Sequence, residues 1–299
     1  MYFYRNVRKD KRMKSCKRFY LIATIALLMG QFGAALQTKA QIFEVGASAG
    51  LSYYMGDINP NKPFSQSRLG GGLVFRYYEN TRWAFRVAYS YLPLAGSDAV
   101  AKYRPERGLS FKTNVNDFAV IAEFNFLDYF TGSGRTYWST YIFGGLSVFT
   151  FNPKAEDGTE LCRVLTDVDY ERGLTNGMKK YNKISASIPF GVGVKYSLTK
   201  RTGIAFEWRM DMTFTDWLDD CHAYYPTYDD AEDQPFVQYS DPTGLTTDEY
   251  GANKIKYIQR GNKNTNDWFG YFNVSLVYKF VVPKKSVCDA GENKSFKYY

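Results

Sequence analysis

The chain has 299 residues, and its 38 Lys and Arg against 30 Asp and Glu give a formal net charge of +8. Nine basic residues and one acidic residue lie in the first forty positions, which leaves 29 of each sign after residue 40. The basic excess therefore belongs to the N-terminal segment alone, and charge gives no argument for a nucleic-acid partner of the remainder.

The first forty residues have the features of a targeting segment. A run of Lys and Arg precedes an apolar stretch at Phe19–Met29, which is too short for a typical membrane-spanning helix. Small residues at Thr38 and Ala40 resemble a signal-peptidase site before Gln41. We therefore expect residues 1–40 to be a cleaved signal peptide, with translation starting at Met1 or Met13, and the chain to be exported.

Alternation with a period of two residues dominates the rest of the chain. In one segment Trp83, Phe85 and Val87 alternate with Ala84 and Arg86, a pattern that separates two faces only in a strand. Seven segments of this kind are predicted strands: 43–55, 68–78, 83–92, 117–126, 184–198, 204–214 and 268–280. An eighth predicted strand, 138–151, is apolar on both faces, so its orientation is ambiguous.

The predicted connections alternate between short and long. Short connections follow the even-numbered strands at 79–82, 127–137 and 199–202, and long ones follow the odd-numbered strands at 56–67, 95–116, 152–183 and 215–267. This is the pattern of short periplasmic turns and long outer loops. The sequence therefore predicts an all-β fold: an eight-stranded antiparallel transmembrane β-barrel over residues 41–280 in the outer membrane, with a periplasmic tail at 281–299.

The polar face of the strands is also their small face, as the narrow interior of an eight-stranded barrel requires. With that face inward, five acidic and five basic side chains are predicted to form a charge network in the lumen: Glu44, Asp117, Glu123, Glu207 and Asp211 with Arg76, Arg86, Lys195, Arg209 and Lys279. Balanced charges favour a filled barrel without an open pore, and the alternative is a proton or solute path.

The segment after the seventh strand holds the only histidine of the chain. Asp219, Asp220 and His222 could serve a hydrolase as carboxylate partners and base, and the acidic loop 215–267 could bind calcium. The spacing matches no calcium-binding loop, and the favoured interpretation is a hydrated acidic outer face. No catalytic residue, metal ligand or cofactor is predicted.

Three cysteines follow residue 40. Cys162 and Cys221 fall in outer loops on the same side of the membrane, so we expect a disulfide between them. Cys288 falls in the predicted tail on the opposite side, where it is either an unpaired thiol or a contact with a periplasmic partner.

Several ordered stretches resemble one family. They are GLSYYMGDINP at 50–60, FNPKA at 151–155, IPFGVGVKYSL at 188–198, Glu207-Trp208 with TFTDWLDD at 213–220, and QRGN at 259–262 with NDW at 266–268. Together they resemble the PorG-type outer-membrane proteins of the Bacteroidetes type IX secretion system, over most of residues 42–280.

The resemblance implies a non-enzymatic barrel that anchors or docks a periplasmic ring, built from the PorK lipoprotein and PorN, to the outer membrane. Other outer-membrane barrels of the secretion machinery are further candidate partners, together with outer-membrane lipid. The alternatives are a small outer-membrane hydrolase that uses Asp219, Asp220 and His222, and a stand-alone structural barrel or adhesin.

Overall fold

The structure is a computed structural model that describes residues 41–163, 181–225, 238–245 and 258–282. Eight antiparallel strands follow one another around a closed barrel. They are β1 (Gln41–Met55), β2 (Arg68–Tyr78), β3 (Trp83–Ser97), β4 (Ser110–Asn125), β5 (Trp138–Thr150), β6 (Ile184–Ser197), β7 (Thr202–Thr213) and β8 (Trp268–Val282). The fold class predicted from the sequence is confirmed.

Short helical turns lie only in the connections of the described chain. One four-residue helix, α1 (Asp98–Ala101), and three 3-10 turns, at Pro63–Gln66, Pro105–Arg107 and Leu161–Arg163, are present. No helix among the described residues is long and apolar enough to cross a membrane.

The outer wall of the barrel carries an apolar belt. Side chains that point away from the lumen are large and exposed on every strand; Leu73, Val120 and Leu146 are 62%, 53% and 68% exposed. Aromatic rings frame this belt, as Trp83 packs on Phe124 and Phe43 on Phe280. A surface of this kind is stable only against lipid, so the barrel is of the outer-membrane type, and the end with the short turns is the periplasmic end.

Two strands run further outward than their hydrophobic pattern predicts. β3 reaches Ser97 rather than residue 92, and β4 begins at Ser110 rather than residue 117. Over this extension the alternation keeps its phase but reverses its polarity: Phe111 and Val115 face inward and are buried, while Lys112 and Asn114 face outward and are exposed. The extension therefore stands above the membrane and has an ordinary apolar interior.

That interior forms a hydrophobic core at the outer end of the barrel. It combines inward residues of the strand extensions with residues of the outer loops. Its fully buried members include Tyr54, Leu92, Leu94, Phe111, Val115, Phe149, Leu218 and Phe269. We call this core, together with the loops that cover it, the outer cap.

The connection between β4 and β5 closes the opposite end. The sequence predicts only a simple short turn here, yet Tyr129 and Thr131 are 1% and 0% exposed. The Thr131 hydroxyl donates to the Glu44 carboxylate at the bottom of the lumen, and Ser197 donates to the Tyr129 hydroxyl at 3.2 Å. The buried part of the segment 126–137 therefore folds into the periplasmic mouth, and we call the whole segment the mouth loop.

Candidate functional site

The half of the lumen nearer the periplasmic end, which we call the lower half, contains a network of ion pairs centred on the Glu123 carboxylate. Glu123 lies within 2.9 Å of Arg76, 3.2 Å of Arg86 and 2.5 Å of Lys195. It stands on β4, and its three partners come from β2, β3 and β6, so it joins strands from opposite walls of the barrel. All four side chains are nearly inaccessible to solvent. Glu123 is thus the hub of the lower network.

Two further carboxylates complete the lower network. Glu44 lies 2.7 Å from Arg76, and Glu207 pairs with Arg86 through two parallel hydrogen bonds of 2.5 and 2.9 Å. The Tyr141 hydroxyl also donates to Glu207 at 2.6 Å. Bidentate guanidinium–carboxylate pairs of this kind fix geometry as well as charge.

A second charge group lies nearer the outer end of the barrel. Arg209 lies 2.6 Å from Asp117 and 2.7 Å from Asp211, and Ser187 donates to Asp211 at 2.8 Å. One guanidinium therefore serves two buried carboxylates. Nine of the ten residues predicted for the lumen network are placed in these two groups.

The tenth predicted member, Lys279, is placed differently. It is partly exposed at the periplasmic end of β8, and its ammonium lies 5.2 Å from the centre of the Phe130 ring of the mouth loop. Within the described part of the chain it forms no ion pair with the other nine. Its position at the rim follows from its place near the end of the strand.

Little empty space remains between the two charge groups. A cavity of about 20 Å³ lies against Arg86, Glu207 and Arg209. Roughly one water molecule fits such a volume. The ion pairs form cross-braces between strands on opposite walls of the barrel.

The outer cap holds a third polar cluster, built on Tyr54 of β1. The Tyr54 hydroxyl contacts Asp219 at 2.5 Å and Asp267 at 2.8 Å. Asp267 also accepts from the Leu218 amide at 3.0 Å, and Asp57 accepts from the Asn262 amide at 2.6 Å. These contacts tie the loop after β1 to both ends of the loop between β7 and β8.

Burial controls the ionisation of these loop carboxylates. Burial, and then the nearby Asp57 carboxylate, raise the pKa of Asp219 to about 8. Burial and the Asp219 carboxylate raise the pKa of Asp267 well above its usual range. The cluster is therefore stabilised when at least one of these carboxyl groups holds a proton, since neighbouring carboxylates repel one another.

A buried ion pair in the cap was not anticipated from the sequence. Arg107 contacts both oxygens of Asp98, at 2.6 and 3.1 Å, and donates to the carbonyls of Asp57 and Arg260. Both residues lie in a polar loop that has no periodicity, so only the structure shows that they meet. This pair anchors the loop between β3 and β4 onto the cluster.

The prediction that the acidic loop 215–267 forms a hydrated outer face is wrong for residues 216–222. Asp219, Asp220 and His222 are at most 2% exposed, because the loop turns inward over the apolar core. His222 Nδ1 lies 2.6 Å from Asp216 Oδ2, and its ring packs on Trp217 at 4.4 Å. Neither Asp219 nor Asp220 is paired with His222 in the contacts of the structure; Asp220 instead accepts from the Tyr181 hydroxyl at 2.7 Å.

The predicted disulfide between Cys162 and Cys221 is not formed. The Cys221 thiol donates to the Arg260 carbonyl at 3.3 Å, and the Cys162 thiol lies 3.7 Å from the Tyr181 carbonyl. Each sulfur is buried against its own neighbours, so the two side chains serve as packing residues. Cys288 lies outside the described residues.

Over the described ranges, no group of three or more His, Cys, Asp or Glu residues is arranged to hold a metal ion. The carboxylates of the cap are turned toward hydroxyl and amide donors. The contacts that the cap makes are structural: they join the four outer loops above a closed lumen.

Comparison with known proteins gives a family match and several structural likenesses. The family model described as "Domain of unknown function (DUF6089)" matches residues 20–236. No curated protein matches the sequence significantly.

Solved structures with a similar fold include several small outer-membrane proteins. The attachment invasion locus protein Ail of Yersinia pestis is 10% identical, with 81% of this chain and 100% of that chain covered and a TM-score of 0.38. Neisserial surface protein A is 14% identical over 80% and 97%, with a TM-score of 0.38. Outer membrane protein W of E. coli is 15% identical over 82% and 100%, with a TM-score of 0.35. Likenesses at this level transfer none of these proteins' activities to the chain.

Proposed function

The chain belongs to the DUF6089 family, and we propose that it is a non-enzymatic outer-membrane component of the type IX protein secretion machinery. In this role the barrel anchors or docks the periplasmic ring of PorK and PorN to the outer membrane. Its chemistry is contact between surfaces, with the mouth loop, the periplasmic turns and the C-terminal tail facing the ring.

The main support for the proposal is that the stretches that resemble PorG-type proteins meet in the structure. Tyr54 of the first stretch, Asp219 of the fourth, and Asn262 and Asp267 of the last converge in the polar cluster of the outer cap. Stretches far apart in sequence thus build one structural feature. Their joint occurrence supports the resemblance to PorG-type proteins more strongly than any single run does.

The filled lumen favours an assembly role over the transport of small solutes through the barrel. The mouth loop, the two charge groups and the apolar core lie one above another inside the barrel. A barrel filled in this way offers only its two ends and its lipid-facing wall to other molecules. Partners are therefore expected at those surfaces.

The hydrolase alternative finds little support in the cap. The candidate base and both candidate carboxylates are buried, and the carboxylates accept hydrogen bonds from tyrosine hydroxyls. A general base must reach the proton that it abstracts, directly or through one water molecule. The residues of this cluster face other side chains of the cap instead.

The test is a mild-detergent pull-down of the full-length protein from its native cells, run with and without reductant. The proposal predicts that PorK and PorN are recovered with the barrel. If recovery depends on oxidising conditions and is lost in Cys288→Ser, the periplasmic tail contacts the ring through a disulfide.

Deletion of the gene separates the proposal from its alternatives. Loss of cargo secretion is expected for an assembly component, whereas intact secretion indicates a stand-alone barrel or adhesin. The double variant Asp219→Ala/His222→Ala addresses the hydrolase: secretion that persists while a hydrolytic activity is lost contradicts the assembly role.

A further inference from the structure

A pocket of about 500 Å³ opens on the outer wall of the barrel, away from the lumen and from the cap cluster. It lies between the outward face of β4 and the segment that follows β5. Three lysines and three asparagines contribute to its lining: Lys112, Lys154, Lys183, Asn114, Asn116 and Asn152. A single acidic residue, Glu156, is part of the same lining. The pocket is therefore positively charged and rich in amide groups.

Two of these lysines are held side by side by the backbone. Lys112 and Lys154 exchange two amide-to-carbonyl hydrogen bonds of 2.9 and 2.8 Å as an antiparallel bridge. The side chains of such a pair project from the same face of the sheet, and like charges placed directly opposite destabilise it. The fold therefore keeps an unfavourable pair of cations together at this position.

Carboxylates of the described residues do not neutralise this pair. Glu160 faces Lys154 across a second antiparallel bridge, but its carboxylate is engaged by Lys183 at 3.1 Å and by the Asn152 amide at 3.0 Å. Within the described residues no ion pair joins Glu156 of the pocket lining to either lysine. Lys112 and Lys154 are both exposed, and within the described part of the chain neither forms an ion pair. An external anion is the partner that this geometry accommodates.

The strand register places the pocket directly above the apolar belt. Its lower edge is the row Asn116, Thr150 and Ile184, which are paired across β4, β5 and β6. The next outward-facing row toward the periplasm begins with Phe118 and Val148, which are 55% and 56% exposed. A molecule in the pocket can therefore extend acyl chains along the belt.

The distance of the lysines from the apolar belt favours one class of lipid headgroup over another. Lys112 lies six residues beyond Phe118, which is about 20 Å along the strand and about 15 Å along the membrane normal for a strand tilted by about 40°. A phospholipid phosphate lies next to its acyl chains, whereas a phosphate carried on a sugar headgroup lies further out. The asparagines between the two levels supply amide donors and acceptors that suit sugar hydroxyls.

We propose that this pocket binds a phosphorylated glycolipid of the outer leaflet, with Lys112 and Lys154 holding a sugar phosphate. Lys183 and the asparagines contact the sugar, and the acyl chains lie against the exposed side chains of β4 and β5. The site is separate from the proposed contacts with the secretion ring and stands without them.

Binding is tested with the full-length protein in mild detergent by native mass spectrometry. The protein is titrated with an acylated glucosamine disaccharide extended by a further sugar that carries a phosphate, with its dephosphorylated form, and with inorganic phosphate. The phosphorylated glycolipid is expected to bind, and Lys112→Gln/Lys154→Gln is expected to weaken it on the order of thirtyfold. The dephosphorylated form is expected to bind as weakly to the wild type as the phosphorylated form binds to the double variant.

A charge-matched control removes two exposed lysines elsewhere. Lys62→Gln/Lys200→Gln lowers the net charge equally but lies outside the pocket, and it is expected to bind the glycolipid like the wild type. Equal weakening in both double variants, tight binding of the dephosphorylated form, or occupancy by inorganic phosphate that displaces the lipid would each overturn the proposal. The heat-modifiable gel mobility of a folded barrel shows that each variant is intact.

Discussion

At the scale of single residues, Glu123 has more ionic partners than any other residue described in the lumen. Glu123 is the one acid shared by Arg76, Arg86 and Lys195. Glu123→Gln leaves these three cations buried without their central charge. Loss of one partner from a buried network costs about 3–5 kcal/mol. We expect that decrease in the free energy of unfolding, measured by urea titration of the protein in detergent micelles.

A paired substitution distinguishes charge imbalance from loss of packing. Glu123→Gln/Lys195→Met removes one charge of each sign from the lower network, so its remaining carboxylates and guanidinium groups again balance. We expect this double variant to be more stable than Glu123→Gln alone. If the two substitutions simply add, the network is not held by charge balance and the hub role is wrong.

The raised pKa of Asp219 contributes to a pH sensitivity of the cap. Asp219 has an ordinary pKa of 3.8, and in the folded cap its pKa is about 8, because of burial and then Asp57. The folded state therefore holds the proton more tightly than the open state between these values. Stability of the cap is highest below pH 4 for this group, falls as pH rises, and reaches its minimum above pH 8.

Hydrogen exchange of the peptide 216–222, corrected for the intrinsic exchange rate, measures this opening. Protection is expected to decrease from pH 5 to pH 8 in the wild type. Asp219→Asn cannot ionise, and its amide oxygen can still accept from the Tyr54 hydroxyl, so its pH dependence is expected to be flatter. Identical profiles for the two proteins would show that another group sets the response.

At the scale of elements, the mouth loop depends on one backbone conformation. Gly132 has φ of +78°, and a Cβ at this position would overlap the Lys200 carbonyl oxygen. Gly132→Ala combines left-handed strain with this clash, so we expect the loop to leave the mouth at a cost of about 1–3 kcal/mol. Trypsin cleavage at Arg135 in the folded barrel is expected to become faster.

The same loop provides the matched control. A methyl group added at Gly134 would have no heavy atom within 4 Å, and this residue is not in the left-handed region. Gly134→Ala is therefore expected to leave both the stability and the cleavage rate unchanged. Equal sensitivity at the two positions would mean that the loop does not seal the mouth in the way that the hydrogen bond from Thr131 to Glu44 indicates.

Strand prediction from the sequence succeeds where apolar side chains face outward to lipid and polar side chains face the lumen. The predicted bounds of β2 match the observed ones, and those of β6 lie within one residue, because apolar side chains face lipid along most of their length. β5 is also predicted to within one residue, although it is apolar on both faces, with Tyr141, Phe143 and Phe149 inside.

The predicted β4 begins seven residues too late, since its outer part has Phe111 and Val115 inside and Lys112 outside. Outside the membrane, the inward face of a strand is apolar and its outward face is polar. A rule that expects polar side chains inside therefore misses this part of the strand.

The sites are predictable to different degrees for a similar reason. The lumen charges can be found from the sequence because alternation assigns every strand residue to a face. The cap ion pair of Arg107 and Asp98, and the burial of His222, depend on loops that fold over one another. Loop residues have no periodicity, so their contacts arise from tertiary packing that the local sequence does not encode.

At the scale of the whole molecule, the barrel has three closures in series. The mouth loop seals the periplasmic end, the two charge groups brace the middle, and the apolar core fills the outer end. The cavity between the charge groups is about 20 Å³. A continuous path for ions would require all three closures to open together, which is a much rarer event than the opening of any one.

We therefore expect no steady conductance from the purified protein in planar lipid bilayers. Gly132→Ala removes only the first closure and is also expected to remain silent, because Glu123 still ties the walls together above the mouth. Glu123→Gln combined with Gly132→Ala weakens two closures, yet the apolar core stays in place, so brief openings at most are expected. Stable ohmic steps from the wild type would contradict the filled lumen, and with it the assignment of function to the ends and outer wall of the barrel.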